Sequence, residues 1–331
     1  MTSERPNLFH FATSELSQDA ALCWCLAWAD SKYAETDPAL HALGRDLVAT
    51  LFSAAMIEAP AGNFTVAVKR QLEHVDIVAE IGDGHLLVIE DKVHSSEHSD
   101  QLKSYVEALK QLYPHRKRAL VFLKTGDQAS YQGVTADGWT TFLRPQLLAV
   151  LRRGSGCTNA IYGDFLDSIE DMETAVQRFR TAPVAEWTHG DPAYTGLYIE
   201  LQAQLGDGHW NYVANPSGGF RGFWWNHEAI EGGEIYLQLE ESTLVAKIWA
   251  EDARQRREMR GTWSHRVVDA IPGFARPAKF GSGEYMTVAT RGDYRIPGPD
   301  GRLDLAATVK LLRETTAALS TLATGAARPA T

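Results

Sequence analysis

The chain has 331 residues, 44% hydrophobic and 22% charged, the composition of a globular protein with room for one large domain or two of ordinary size. Its net charge of −10 argues against a general affinity for nucleic acid. No apolar run reaches the roughly 18 residues of a membrane span. The start MTSERPNLFH lacks the basic-then-apolar order of a secretory signal. Cys23, Cys25 and Cys157 make neither an even disulfide set nor a C-x-x-C motif, so a reducing cytoplasm is the expected compartment.

In chain order, SELSQDAALCWCLAWA (14–29) places Leu16, Ala20, Cys23 and Ala27 at helical spacing, with Ser14 as a candidate cap. A second helix is predicted after Pro38, over ALHALGRDLVATLFSAA. The period then changes to two. NFTVAVKRQL, HVDIVAEI and HLLVIEDK read as strands, the last two joined by a hairpin turn at GDGH. SDQLKSYVEALKQLY predicts a helix with Ser99 as cap, ending at Pro114. KRALVFLKT is a continuous apolar run, as expected of a strand buried on both faces. Further helices are predicted at 141–152 and 160–180.

The character of the chain changes after TAPVAEWTHGDP, and a boundary is predicted near 183–192. It separates a first domain (1–182) from a smaller α+β domain (190–322) of unknown role, for which substrate or partner recognition is the candidate. GLYIELQAQL, HWNYVANP, GFWWNHEAI and EIYLQLEESTLVAKIWA read as aromatic-rich strands. They are followed by a helix (DARQRREMRGTWSHRVVDAI), a strand (EYMTVAT) and a final helix (DLAATVKLLRETTAALSTL). Gly-Asp-Gly-His occurs at 82–85 and 206–209; its surroundings differ, which reads as two hairpins and not a duplication. Phe223, Trp224 and Trp225 suit core packing better than base stacking.

Charge is unevenly distributed. Residues 101–153 hold nine Lys/Arg against three Asp/Glu, and 251–280 hold seven against four. Local basic faces on an acidic protein suit an enzyme that holds a polyanion at one place, and solvated helix faces explain each patch equally well.

The chemistry concentrates at the third predicted strand. Glu90 and Lys92, two apart, point to one face, and Asp91 to the other. Counting back across GDGH puts Asp76 at the same end of the neighbouring strand. Two clustered carboxylates repel unless a cation joins them, and oxygen ligands suit Mg²⁺ or Mn²⁺. A lysine beside such an ion can orient or deprotonate a water, or neutralise charge on an attacked phosphate. His74, His85, His94 and His98 invite a zinc reading, but VHSSEHSD reads as a loop with no strong third ligand, so structural roles are preferred.

This pattern resembles the PD-(D/E)XK nuclease superfamily, with its restriction-endonuclease-like αβββαβ core. Asp76 and Glu90-Asp91-Lys92 match its acidic motif; Val75 stands where the motif has proline. Gln101 and Tyr105 in QLKSY look like the Q-x-x-x-Y signature of RecB-like members. Glu15 and Gln18 lie on the N-terminal helix where many members carry a further metal-binding glutamate. SELSQDAALCW, IEDKVHSSEHSDQLKSY and NPSGGFRGFWW are also similar to a bacterial subgroup that includes defence-associated proteins.

The resemblance implies that Asp76 and Glu90 bind the metal, completed by the backbone carbonyl of Asp91. Glu15 would hold that ion or a second one, and Gln18 could serve beside it. Lys92 would position the water nucleophile; Gln101 and Tyr105 would orient the lysine and the phosphate backbone. The implied activity is metal-dependent hydrolysis of phosphodiesters, in DNA rather than RNA, in defence against phage or foreign DNA. The alternative is a nuclease-derived nucleic-acid-binding or regulatory module without turnover. A homodimer, and a defence-system partner or activator, are left open.

Overall fold

Local signals start the first helices of the computed structural model, which describes residues 5–95, 101–154, 156–215 and 218–326. α1 (Glu15–Ala27) follows Ser14, whose hydroxyl meets Ser17 Oγ at 2.9 Å and caps no backbone N–H, and α2 (Pro38–Ala54) opens on proline with the Asp37 side chain accepting from Leu40 N. The buried stripe of α1 differs from the expected one. Leu16 is exposed, while Gln18, Asp19, Ala21, Leu22, Cys25 and Leu26 are buried. Hydrophobicity misplaces the stripe because two of its members are polar and have polar partners, described below.

The chain divides into two compact units, residues 1–174 and 175–331. In the first, β1 (Val66–Leu72), β2 (Val75–Ile81), β3 (His85–Lys92), β4 (Lys117–Lys124) and β5 (Thr140–Leu143) form one sheet in chain order. β1 to β3 run antiparallel; β3, β4 and β5 run parallel. α3 (Gln101–Leu112) and the short α4 (Gln132–Ala136) make the crossovers, and α5 (Arg144–Leu151) and α6 (Ala160–Thr181) follow. This is the mixed α/β arrangement expected of a restriction-endonuclease-like core.

β3 is central and covered on both faces, so its sequence is a nearly unbroken apolar run. Leu87 and Ile89 enter the core built by α1, α2, α5 and α6. Leu86 and Val88 enter a second core with Leu102, Tyr105 and Leu109 of α3, Phe122, Val134 and Trp139. Where the chain leaves β4 it passes so close to the end of β3 that a Cβ on Gly126 would lie 1.9 Å from the Val93 carbonyl oxygen. Only glycine fits there.

The segment expected to be helix over 141–152 opens instead as the four-residue strand β5, and α5 begins at Arg144. TTFL is too short to show a period, and its β-branched threonines extend the parallel pairing with Val121 and Phe122.

The second unit holds a five-stranded antiparallel meander in the order β10-β9-β8-β7-β6. Its strands are β6 (His209–Val213), β7 (Phe220–Ile230), β8 (Gly233–Glu240), β9 (Thr243–Ala250) and β10 (Tyr285–Asp293). α7 (Pro192–Leu205), α8 (Arg256–Ala270) and α9 (Leu305–Ala326) pack on it. Two expectations are corrected. GLYIELQAQL, read as a strand, lies in α7: Asp191 caps Ala193 N, Pro192 opens the helix, and burial from Ala193 to Tyr198 erases any helical stripe. The second Gly-Asp-Gly-His is accordingly not a hairpin; Gly206, at φ 71°, ends α7 in the left-handed conformation. Phe223 and Trp225 are buried core aromatics, and Trp224 packs against His209.

Candidate active site

The β2–β3 hairpin pairs Ile81 with His85 around Gly82, and the register continues to Ile77 opposite Ile89. One step further, Asp76 and Glu90 arrive at the same end of the sheet. Lys92 Nζ lies 3.1 Å from Asp76 Oδ2 and 2.5 Å from Glu90 Oε1. Asp91 N donates to Asp76 Oδ2 at 3.0 Å, and Gln71 Nε2 donates to Asp76 Oδ1 at 3.0 Å.

Asp76 is delivered by an unusual turn. Gln71, Glu73 and His74 have φ of 53°, 50° and 69°, left-handed values that non-glycine residues adopt at a cost of about 1–2 kcal/mol each. Such strain persists only where surrounding contacts determine the conformation. Here the Leu72–Val75 pairing and the Gln71–Asp76 hydrogen bond do so.

The electrostatics follow from burial. Glu90 is 1% exposed. Desolvation, then the charge of Asp76 and a hydrogen bond between the two carboxyls, push its pKa up to about 7 against the pull of Lys92. Burial disfavours the Lys92 ammonium, yet its hydrogen bond to Glu90 and the charges of Glu90 and Asp76 outweigh this and raise its pKa. The lysine is the cation that lets two carboxylates share a nearly dry site.

Across β3 lies a second acidic pair. Asp91 points to the α1 face, where Gln18 Nε2 donates to its Oδ1 at 2.6 Å and Thr125 Oγ1 donates to Gln18 Oε1 at 2.7 Å. Burial first, then the proximity of Asp19, holds Asp91 well above the usual carboxylate range. Asp19 is likewise raised, by burial and by the charge of Asp76. Arg70 reaches Asp19 at 3.6 Å. Asp19, Gln71 and Thr125 were not singled out in the sequence. Asp19 lay in a segment read for its apolar spacing, and Gln71 meets Asp76 through a turn with no glycine or asparagine to mark it.

Glu15 stands apart from Asp76 and Glu90. Its Oε1 accepts from the backbone N of Val93, His94 and Ser95 at 2.8, 3.1 and 3.2 Å, and from Ser95 Oγ at 2.8 Å. Burial would raise its pKa, but these hydrogen bonds win and lower it. Its visible action is to tie α1 to the chain leaving β3. Tyr105 is buried in the core that also receives Leu86 and Val88, the face to which Glu90 and Lys92 belong. Gln101 opens α3; its side chain, like His98 and Ser99, lies outside the described residues. His94 is exposed, and His85 packs edge-on against Phe52.

Among the described residues no three His, Cys, Asp or Glu side chains are grouped to hold a metal ion. The available oxygen set is the Asp76–Glu90 pair. That set fits Mg²⁺, a hard cation that keeps several waters and takes one or two carboxylates. Two carboxylates face one ammonium, so ionising both leaves a negative charge that a further cation can relieve.

Fold and site together define a nuclease-type α/β domain. The sequence profile of the PD-(D/E)XK nuclease superfamily matches residues 6–181, and the chain belongs to that superfamily. No curated protein and no solved structure is detectably similar to the chain. Among the described residues, no helix is long and apolar enough to cross a membrane.

Proposed function

We propose that this protein hydrolyses phosphodiester bonds in DNA, using Mg²⁺ or Mn²⁺ held by Asp76 and Glu90, and that it acts in the cytoplasm against foreign DNA. The observation that carries the reading is the meeting of Lys92 Nζ with both carboxylates at the end of two adjacent strands. When bound, the ion would stabilise negative charge at phosphorus and make hydroxide available near neutral pH. The Asp91 backbone carbonyl, and Glu15 through water, are the further ligands implied by family resemblance.

The chain's own residues account for the rest. Lys92 would present N–H donors to the attacking water or to a phosphate oxygen. Asp91 N and Gln71 hold Asp76 in place from two sides. Gln101 and Tyr105 are assigned to orienting the lysine and the phosphate backbone. The Gln18–Asp91–Asp19 group fixes the strand end from behind.

Incubation with Mg²⁺ or Mn²⁺ and plasmid, single-stranded DNA and RNA tests this. Cleavage of DNA that disappears in Glu90→Ala and Lys92→Ala is expected. No cleavage of any substrate, or cleavage unchanged in both variants, would sink the reading. The engagement of Glu15 Oε1 by three backbone N–H groups favours one second reading, a binding or regulatory module without turnover. A stable DNA complex that never cleaves with either metal would select it.

A further inference from the structure

The two basic segments of this acidic chain have different fates in the fold. In 101–153 the cations mostly answer acids: Lys110 meets Glu107, Arg116 Glu80, Lys117 Glu58, Arg152 Glu170 and Arg153 Asp46. Arg144 is held between Asp127 and Glu173. In and after α8 the pattern reverses. Among the described residues Arg257, Arg260, Arg266, Arg276 and Lys279 form no ion pair, and Arg257 makes no hydrogen bond either.

α8 has one buried stripe, Met259, Trp263 and Val267, spaced by four. Arg257, Gly261 and His265 are displaced from it by two residues, about 200° around the helix, and so occupy the outward face. With Arg254, Glu258 and Thr262 they line an open groove. Arg254 is paired with Asp252, and Glu258 is the one acid among the lining residues. Arg260 follows Arg257 by one turn and donates to the Gly281 carbonyl; its guanidinium and that of Arg276 lie 5.6 and 4.8 Å from the Phe280 ring centroid, so one ring meets two cations.

Gly261 is the second observation. Apart from proline, glycine is the poorest helix former, and this one is mid-helix. A Cβ there would meet nothing within 4 Å. Among the described residues no packing requires the glycine, so the backbone beside it is open to approach. A bare stretch of helix backbone flanked by arginines and a threonine hydroxyl matches a phosphate backbone, which approaches closely and accepts from every such donor.

We infer that the outward face of α8 binds the phosphodiester backbone of a nucleic acid, independently of base sequence. This extends the nuclease reading and rests on it for the identity of the polyanion. Binding is measured on the full chain without divalent metal, by fluorescence anisotropy with labelled duplex DNA, single-stranded DNA and single-stranded RNA. Salt is varied from about 50 to about 200 mM. Arg257→Ala with Arg260→Ala is expected to weaken binding roughly tenfold for all base sequences and to flatten the log K against log salt slope by about 1 per arginine lost.

Gly261→Gln guards against misfolding as the explanation. It is expected to raise the thermal midpoint, because glutamine is the better helix former, and to weaken binding at the same time. The preferred nucleic acid among the three names the source of the backbone. Wild-type affinity and slope in the double variant, no binding of any nucleic acid by the wild type, or tighter binding of labelled polyglutamate would each overturn the inference. Failure of the nuclease reading is distinguished by cleavage assays: a wild type that cleaves nothing with Mg²⁺ or Mn²⁺ but binds metal-free, with binding weakened in the double arginine variant, ends that reading and leaves this inference standing.

Discussion

Glu90 is a carboxyl whose environment opposes its charge. Its folded pKa, about 7, stands above the ordinary value of 4.5 because burial and Asp76 outweigh Lys92. A carboxyl raised in the folded state binds protons that the unfolded state has already released. Stability of the metal-free protein therefore falls as pH rises from about 4.5 to about 7, by at most roughly 3 kcal/mol. Urea unfolding in EDTA across that window should show the decline, and Glu90→Gln should flatten it. A divalent cation should reverse it in the wild type, since the cation favours the ionised pair. A decline unchanged in Glu90→Gln would assign the effect to another group, with the Asp19–Asp91 pair the first to examine.

At the scale of elements, the turn between β1 and β2 carries the strain that aims Asp76. Its two connecting residues, Glu73 and His74, both have positive φ, as a type I′ hairpin turn requires, yet neither is glycine or asparagine. Glu73→Asn with His74→Gly should thus raise stability by about 1 kcal/mol, read as a higher denaturant midpoint with an unchanged m-value. Gln71→Ala should leave stability within about 1 kcal/mol but lower cleavage, because Asp76 loses one of its three donors, the one that holds Oδ1. A double variant with a lower midpoint would show that the native turn residues hold the conformation by contacts stronger than the strain. The same turn shows where the sequence falls silent. The GDGH hairpin was legible because glycine marks it, and counting across it placed Asp76 beside Glu90. The QLEH turn carries no mark, and α7 carried an alternating pattern that its Asp-Pro start overrides. Asp19 was hidden for a related reason: hydrophobic spacing cannot report a helix face buried through polar pairing.

Across the whole molecule, net charge and local charge act in opposite senses. At −10 the chain repels a polyanion at long range, so productive contact depends on cations free to replace counterions. Sequence counts alone rank 101–153, nine Lys/Arg against three Asp/Glu, above 251–280, seven against four. The fold inverts the ranking, because acids distant in sequence reach the first segment: Glu58 meets Lys117 across 59 positions and Asp46 meets Arg153 across 107. A cation already paired with a carboxylate contributes little counterion release, and breaking an exposed pair of this kind changes stability by under about 1 kcal/mol. The triple variant Lys110→Ala, Lys117→Ala, Arg153→Ala should therefore keep the wild-type salt slope for DNA to within about 1, although it removes three positive charges. The comparison is with two arginines removed from α8, where the slope should flatten by about 2. A flattening of about 3 in the triple variant would mean that DNA displaces those carboxylates, and would move the binding surface onto the first unit.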